Sequence, residues 1–384
     1  KLQSIDLDLD QFDAKMQVHP MRFEDFNGRI HYEDEHLVIE RMHGKIGRSI
    51  FDMDMNYYLG KDESIKLRDN HFGLKANYID FDQLFAFKTT PPSPANTTDS
   101  TTQDVEAHSA AFNIYELPFT DMTFDLDVDH FIYHHVDLQD IHSRLRITHD
   151  HYIYVDTMSM RGGGGQYLMS GYFNGSNPDR IYLKPRLKVI DADVDQLLLK
   201  YENFGQDEIL SDYVHGKVTA DITGNIRMYP DMVPDIDQSE IHMDVEILNG
   251  SLENYEPVLM LSDYMGDKNL SNVQFDTLQN HMDITNGFIT IPNMTIESTL
   301  GHYELSGEQS LVGKLEYYIR IPWKIIAQGA RYKLFGNKKT KEGEIGDDEI
   351  IEKDPNKKTR YLNVRVKGTL DDYDIQLRKK RDRK

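Results

Sequence analysis

The chain has no cysteine in its 384 residues. That removes disulfides, Cys-ligated zinc and thiol catalysis together, and it suits an oxidising compartment such as a periplasm. Basic residues are in deficit, with 43 Lys and Arg against 65 Asp and Glu and a formal net charge of −22. Nucleic-acid affinity comes mostly from Lys and Arg neutralising phosphates, so no nucleic-acid partner is expected. No apolar run approaches the ~18 residues that read as a membrane span. The familiar catalytic signatures are also missing: no Gly-x-Ser-x-Gly elbow, no His-Glu-x-x-His pair and no Walker loop. The sequence therefore reads as that of a non-enzyme with no cofactor.

What is present is two-residue alternation. Ile5, Leu7 and Leu9 alternate with Asp6, Asp8 and Asp10. The same rhythm returns at Phe124, Leu126 and Val128, at Leu145 and Ile147, and at Val218, Ala220 and Ile222. It recurs at Ile241, Met243, Val245 and Ile247, and at Leu362, Val364 and Val366. Strand side chains point to opposite faces in turn, so each stretch reads as a half-buried antiparallel strand. Asn27-Gly28, Asn249-Gly250 and Asn286-Gly287 read as hairpin turns, because Asn and Gly tolerate positive φ. Four segments read as short helices: 82–87, 193–204, 257–265 and 322–335. The last carries Ile326, Ala330 and Leu334 on one face, with Trp323 beside them and Pro322 as an early helix residue.

The chain also repeats itself. Residues 79–85 resemble 192–198, each ending a strand and opening a helix. The pattern from Phe23 through Ile30, Leu37, Ile39 and Met42 to Gly47 aligns with that from Val273 through Met282, Ile289, Ile291 and Met294 to Gly301. Fixed-period self-similarity points to stacked supersecondary units. The expected fold is mostly β: an elongated, curved antiparallel sheet built from repeats, with an apolar concave face and a few short α-helices. The expected organisation is a first β repeat over 1–88, a Pro/Thr/Ser-rich polar loop over 89–108, a second repeat over 109–205, a C-terminal region over 206–377, and a basic tail over 378–384.

Several residue types invite chemical readings. Sixteen histidines are present, and His130, His134, His135, His142, His149 and His151 crowd one region. His149 and His151 read as sharing a strand face, which offers two metal ligands. A zinc site needs three or four converging ligands, and no fixed-spacing motif supplies them, so the histidines read as outward polar residues and no metal centre is expected. The Asp-x-Asp runs lack the Gly and later Glu of a calcium loop and read as solvated strand faces. Gly162 to Gly165 reads as a hairpin or bulge, since no helix follows it to cradle phosphate. The apolar faces are the remaining feature. They curl into an open trough or close into a sandwich, and pattern alone does not separate the two.

Leu261-Ser262-Asp263-Tyr264-Met265-Gly266, followed by Leu270, Val273, Phe275 and Leu278, resembles the C-terminal region of AsmA-like proteins of the Bacteroidetes type. The likeness continues through Ile289 to Ile296, Leu300-Gly301, Tyr303 to Gly307, Leu315 to Tyr318, Ile321 to Lys324, and Val364 to Thr369 with Asp371-Asp372-Tyr373. It is best over about 210–377. The resemblance implies a repeating β-groove of the bridge-like lipid-transfer kind, working in the periplasm behind an inner-membrane helix upstream of Lys1. It implies a part in phospholipid movement or outer-membrane biogenesis, and no catalytic residues. The residues expected to line the lipid groove are Leu145, Ile147, Ile153, Val155, Val218, Ile222, Ile241, Met243, Val245, Ile284, Val364 and Val366. The expected partner is a phospholipid or other acyl-chain lipid, with a membrane surface or an envelope protein as further partners. The helix bearing Trp323, Ile326, Ala330 and Leu334 either touches the membrane or plugs one end of the sheet. The alternative function is a structural scaffold of the cell envelope with a closed β core and no lipid.

Overall fold

The computed structural model describes residues 4–15, 22–80, 113–116, 119–133, 136–200, 212–259, 269–310, 313–323, 350, 352–354, 356, 358–369 and 372–378. Among the described residues the fold is mostly β, with 19 strands hydrogen-bonded as one sheet and a few short helices. The strands contact one another as two compact units. One comprises residues 1–162, 166–187 and 224–235; the other comprises 163–165, 188–223 and 236–384.

In the first unit, β1 (Ser4–Lys15), β2 (Arg22–Glu33), β3 (His36–Ile46) and β4 (Ser49–Tyr58) form an antiparallel meander. Helix α1 (Glu63–Asp69) then leads into β5 (His71–Ala76), which pairs with β4. Asp62 caps α1 by accepting from the Ser64 amide at 2.9 Å. The meander breaks where β5 and the short β6 (Ile79–Asp80) both lie parallel to β7 (Met122–Tyr133). Antiparallel pairing resumes through β8 (Val136–Ile147) and β9 (Tyr152–Gly162). The chain turns into β10 (Gly165–Asn174) at Gly163 and Gly164, whose φ values of 53° and 72° are those of a tight hairpin. Of the two readings of the glycine run, hairpin or bulge, the structure has the hairpin.

Many strands carry a bulge. Gln11, Asp25, Arg41, Asp140 and Asn249 all sit inside strands with φ near +50°. Each extra residue resets the two-residue phase. In β3, Leu37 and Ile39 face one way at odd positions, and after Arg41 the same face is carried by Met42 and Gly44 at even ones. An amide exposed by a bulge needs another acceptor. The Asp25 amide donates to Asp13 Oδ1 at 2.8 Å, and the Gln11 amide to Asn27 Oδ1 at 2.9 Å. This corrects two expected turns: Asn27-Gly28 lies within β2, and Asn249-Gly250 lies within β13 (Pro234–Glu253). Asn286-Gly287 is a hairpin turn, with φ of 51° and 71°.

In the second unit, β13, β14 (Asn272–Thr285), β15 (Phe288–Ser298), β16 (Gly301–Ser310), β17 (Leu315–Pro322), β18 (Tyr361–Gly368) and β19 (Tyr373–Arg378) pair in sequence, all antiparallel. Before them come β11 (Tyr182–Asp193), α2 (Val194–Lys200) and β12 (Val214–Met228), with part of β11 and of β12 in each unit. The change from strand to helix at 193–194 follows the repeat seen in the sequence; its first copy lies largely outside the described residues. Helix α3 (Glu256–Leu259) lays Val258 on a filled core of Leu270, Val273, Leu300, Tyr317, Ile319 and their neighbours. Pro322 corrects the expectation of an early helix residue: it is the buried last residue of β17, opposite Tyr361. Trp323, which follows it, is 49% exposed. Ile326, Ala330 and Leu334, the segment 82–87 expected as a helix, the segment 89–108 expected as a loop and residues 379–384 lie outside the described residues. No described helix is long and apolar enough to cross a membrane.

Asn70 secures the parallel junction of β5 with β7. It is 2% exposed, and its Oδ1 accepts from the Tyr58 amide at 2.7 Å. Its Nδ2 donates to the Asp121 carbonyl at 2.8 Å, and its own carbonyl accepts from the Thr123 amide at 3.1 Å. Asn70→Ala leaves the buried Tyr58 amide and Asp121 carbonyl without these partners. It should lower the unfolding free energy by about 1–3 kcal/mol in a denaturant titration. An unchanged midpoint would remove this side chain from any role in holding the junction.

Candidate functional site

The alternation read from the sequence becomes a two-faced surface once register is known. In the first unit, directly opposed residues form a row: Leu7, Ile30, Ile39, Met55, Phe72, Phe124, Leu145 and Val155, one from each successive paired strand from β1 to β9, omitting β6. Phe72 and Phe124 meet across the parallel junction with ring centroids 5.6 Å apart. Seven strand spacings of ~4.8 Å make the row roughly 34 Å long along the sheet. A parallel row of Met42, Met53, Leu74 and Leu126 runs beside it.

Burial along the row is incomplete. Val155 is 7% exposed, the middle of the row is half-buried, and Leu7 is 47% exposed beside Ile5 at the same value. Central strands under a full second layer bury such residues almost completely. Two local clusters do close over parts of this unit. Ile114, Phe173, Ile181 and Met228 form one, and Phe51, Ala76, Val128 and Ile141 form the other. Between them, Ile30, Ile39, Met55, Phe72, Phe124 and Leu145 all stay half-buried.

The expected groove residues fall into three groups. Leu145, Ile147, Ile153 and Val155 come together, with Leu145 opposite Val155 and Ile147 opposite Ile153. Ile241, Met243 and Val245 share a face with Ile284, Met282 and Asn280, their partners on β14. Val218 and Ile222 are half-buried on β12. Val364 and Val366 are different: at 2% and 0% exposure they belong to the filled core beneath α3. Leu7, Ile30, Ile39, Met55, Phe72 and Phe124 join the first group. Leu7 and Phe124 stand in alternating stretches and Ile30 and Ile39 in the repeated pattern, Met55 and Phe72 carried no reading from the sequence, and nothing local in the sequence shows that β5 sits beside β7.

The opposite face is polar and laddered. Asp6 pairs with Arg29 at 2.9 Å and His31 at 2.8 Å; His43 pairs with Asp52 at 2.8 Å. His71 lies between Asp54 and Asp125, at 3.4 and 3.1 Å. Arg144 binds Asp125 at 2.7 Å, and His142 faces Asp127 at 3.2 Å. An open depression here is lined by Asp125, Asp127, His142, Arg144, Asp156 and Arg186, among others. Opposite charges facing each other across strands add modestly to pairing, and they let an acidic chain carry many carboxylates on one surface. His149 and His151 correct the expectation of a shared strand face: they lie in the turn between β8 and β9. His149 pairs with buried Asp121 at 3.0 Å, whereas the His151 ring stacks on Phe119 at 4.5 Å.

The ladder titrates. Hydrogen bonding to Asp6 raises the His31 pKa, and hydrogen bonding to Asp121 raises that of His149, where Glu63 adds to the field. The Asp6 carboxyl is lowered by His31 and then by Arg29. The raised histidines contribute stability that is fully present below the ordinary imidazole pKa of ~6.5 and is lost as pH rises through their folded values. The lowered carboxyl contributes stability present above ~3.9 and lost as pH falls. This contribution should therefore be largest between about pH 4 and 6.5. Melting temperature measured from pH 5.5 to 8.5 should fall less steeply in the double variant His31→Asn, His149→Asn than in the parent. Identical slopes would contradict the pairing.

No protein-family model, no curated protein and no solved structure matches this chain.

Proposed function

We propose that the protein handles lipid without a chemical step, holding acyl chains against the apolar face of its sheet. The observation that carries this reading is the row from Leu7 to Val155, contiguous across the paired strands yet only half-buried through its middle. A large apolar strip left open to water marks an interaction surface. An acyl chain gains ~0.8 kcal/mol for each methylene it buries there. A hydrocarbon core ~30 Å thick holds two tails end to end, so the row is long enough for two tails laid across the strands. Met42, Met53 and Met55 lie in or beside the row, and unbranched thioethers adapt to irregular apolar partners. The resemblance of residues 210–377 to AsmA-like proteins supports a phospholipid as the ligand and a periplasmic setting.

The envelope-scaffold reading has its own support in the second unit. Val364, Val366, Tyr317, Ile319 and Val258 are buried together in a core there. On this reading the half-buried row is covered by a protein partner instead of lipid.

Lipids extracted from the purified protein and identified by mass spectrometry distinguish the two. Phospholipid should be present in the parent. Met55→Lys should lower affinity for a fluorescent phospholipid about tenfold, the equivalent of roughly two lost methylenes. Lys75→Glu, on the opposite face of β5, should leave it unchanged. Lipid-free parent protein that takes up no phospholipid would overturn the proposal.

A further inference from the structure

The sequence His-Met-Asp occurs twice, as His242-Met243-Asp244 and His281-Met282-Asp283. The structure places the two copies on adjacent antiparallel strands in exact opposition. His242 faces Asp283, Met243 faces Met282, and Asp244 faces His281. The methionines point to the apolar side, so both histidines and both aspartates emerge together on the polar side. The imidazole rings are nearly parallel, with centroids 6.5 Å apart and planes at 10°.

Both imidazoles converge on one carboxylate oxygen. His242 Nδ1 lies 2.6 Å from Asp283 Oδ1, and His281 Nε2 lies 3.3 Å from the same atom. One donor atom from each of His242, His281 and Asp283 lies within 4.8 Å of the other two. Ligands ~2.0–2.1 Å from a tetrahedral cation stand roughly 3.3 Å apart, so small rotations of exposed side chains close the set. His281 is also oriented from behind: its Nδ1 lies 2.8 Å from Asp244 Oδ1. A metal-binding histidine characteristically gives its second nitrogen to a carboxylate in this way, which fixes the ring and leaves the other nitrogen for the ion. His242 Nε2 has Glu240 at 3.6 Å.

The other histidine–carboxylate pairs of the ladder lack this construction. Among the described residues His43 has Asp52 alone within ion-pair range, and His71 is one imidazole between two carboxylates. The second cluster of potential ligands, Glu63, Asp121 and His149, offers a single imidazole. Two nitrogens and one carboxylate suit a divalent d-block ion, whereas calcium and magnesium prefer all-oxygen shells.

We propose that His242, His281 and Asp283 bind one divalent transition-metal ion, Zn²⁺ in particular, with Asp244 as the positioning residue for His281. The ion would clip β13 to β14 on the face opposite Met243 and Met282, and its remaining positions would open to solvent. The site stands independently of lipid binding.

Zn²⁺ titration by calorimetry on the whole chain, with Co²⁺ absorption as a second readout, tests this. One equivalent should bind, and Co²⁺ should give the visible d–d bands of a nitrogen-and-oxygen shell. His281→Gln should abolish both signals while leaving the far-UV circular dichroism unchanged. Asp244→Asn should weaken binding about 10–100-fold and leave the stoichiometry at one. His149→Gln should bind as the parent does, and Mg²⁺ should not compete. Absence of Zn²⁺ binding in the parent would overturn the proposal. So would binding that survives His281→Gln, or that is lost in His149→Gln.

Discussion

A sheet buries at most what lies against it, and that constraint governs the first unit of this protein. Its strands hydrogen-bond laterally from β1 to β9, so their backbone groups are satisfied within the sheet. Their side chains then divide by face. Apolar residues collect in the row from Leu7 to Val155, and charged ones collect opposite. Local clusters around Phe51 and Phe173 cover part of the apolar side. The half-buried stretch between Ile30 and Leu145 follows from covering only part of a continuous strip. The proposed lipid supplies the missing layer. The bulges serve the same end, because each restores the phase that keeps a long strand's apolar residues on one side.

The polar face answers a different demand. A chain with a net charge of −22 must separate or pair its carboxylates. Here they are interleaved across strands with Arg, Lys and above all His. Glu316 shows the strength such pairing reaches at its best. Tyr318 donates to it, Arg365 approaches to 2.6 Å, Lys367 adds charge, and the carboxyl is held down to about 2. Most pairs are more exposed and individually weaker, as surface ion pairs generally are. Histidine gives the surface a charge that varies near neutral pH and a nitrogen that can bind metal, which separates the quartet at His242 and His281 from ordinary Asp–Lys ladders.

Much of this was legible in the sequence. Alternation at Ile5 to Leu9, Phe124 to Val128 and Ile241 to Ile247 marked strands correctly, because a period of two survives wherever one face is polar. The hairpin at Asn286-Gly287 was legible because tight turns need positive φ, and that at Gly163-Gly164 was legible as either a hairpin or a bulge. The same chemistry misled at Asn249-Gly250, where the left-handed Asn249 is a bulge in a strand that continues to Glu253, and at Asn27-Gly28, where the left-handed residue is Asp25 and the strand continues to Glu33. Helix α1 was missed, being only seven residues set between strands, with none of them buried. The parallel pairing of β5 with β7 was not legible, since the partners are some fifty residues apart and no local pattern encodes the contact. The apolar row therefore appeared only as fragments, among them Leu145, Ile147, Ile153 and Val155. The burial of Val364 and Val366 was hidden for a related reason: alternation shows which face is apolar, not what covers it. The two His-Met-Asp segments were readable as letters, but their opposition depends on a register set by the whole β13–β14 pairing.

The central claim is that acyl chains lie on one named face of the sheet. Incorporating a photoreactive benzophenone side chain on β5, at Phe72 in one protein and at Lys75 in another, tests it directly, because the two positions point to opposite faces. After irradiation with phospholipid vesicles, intact-mass spectrometry should show a phospholipid adduct at position 72 and none at position 75. Equal labelling at both positions, or no adduct at position 72, would contradict the account.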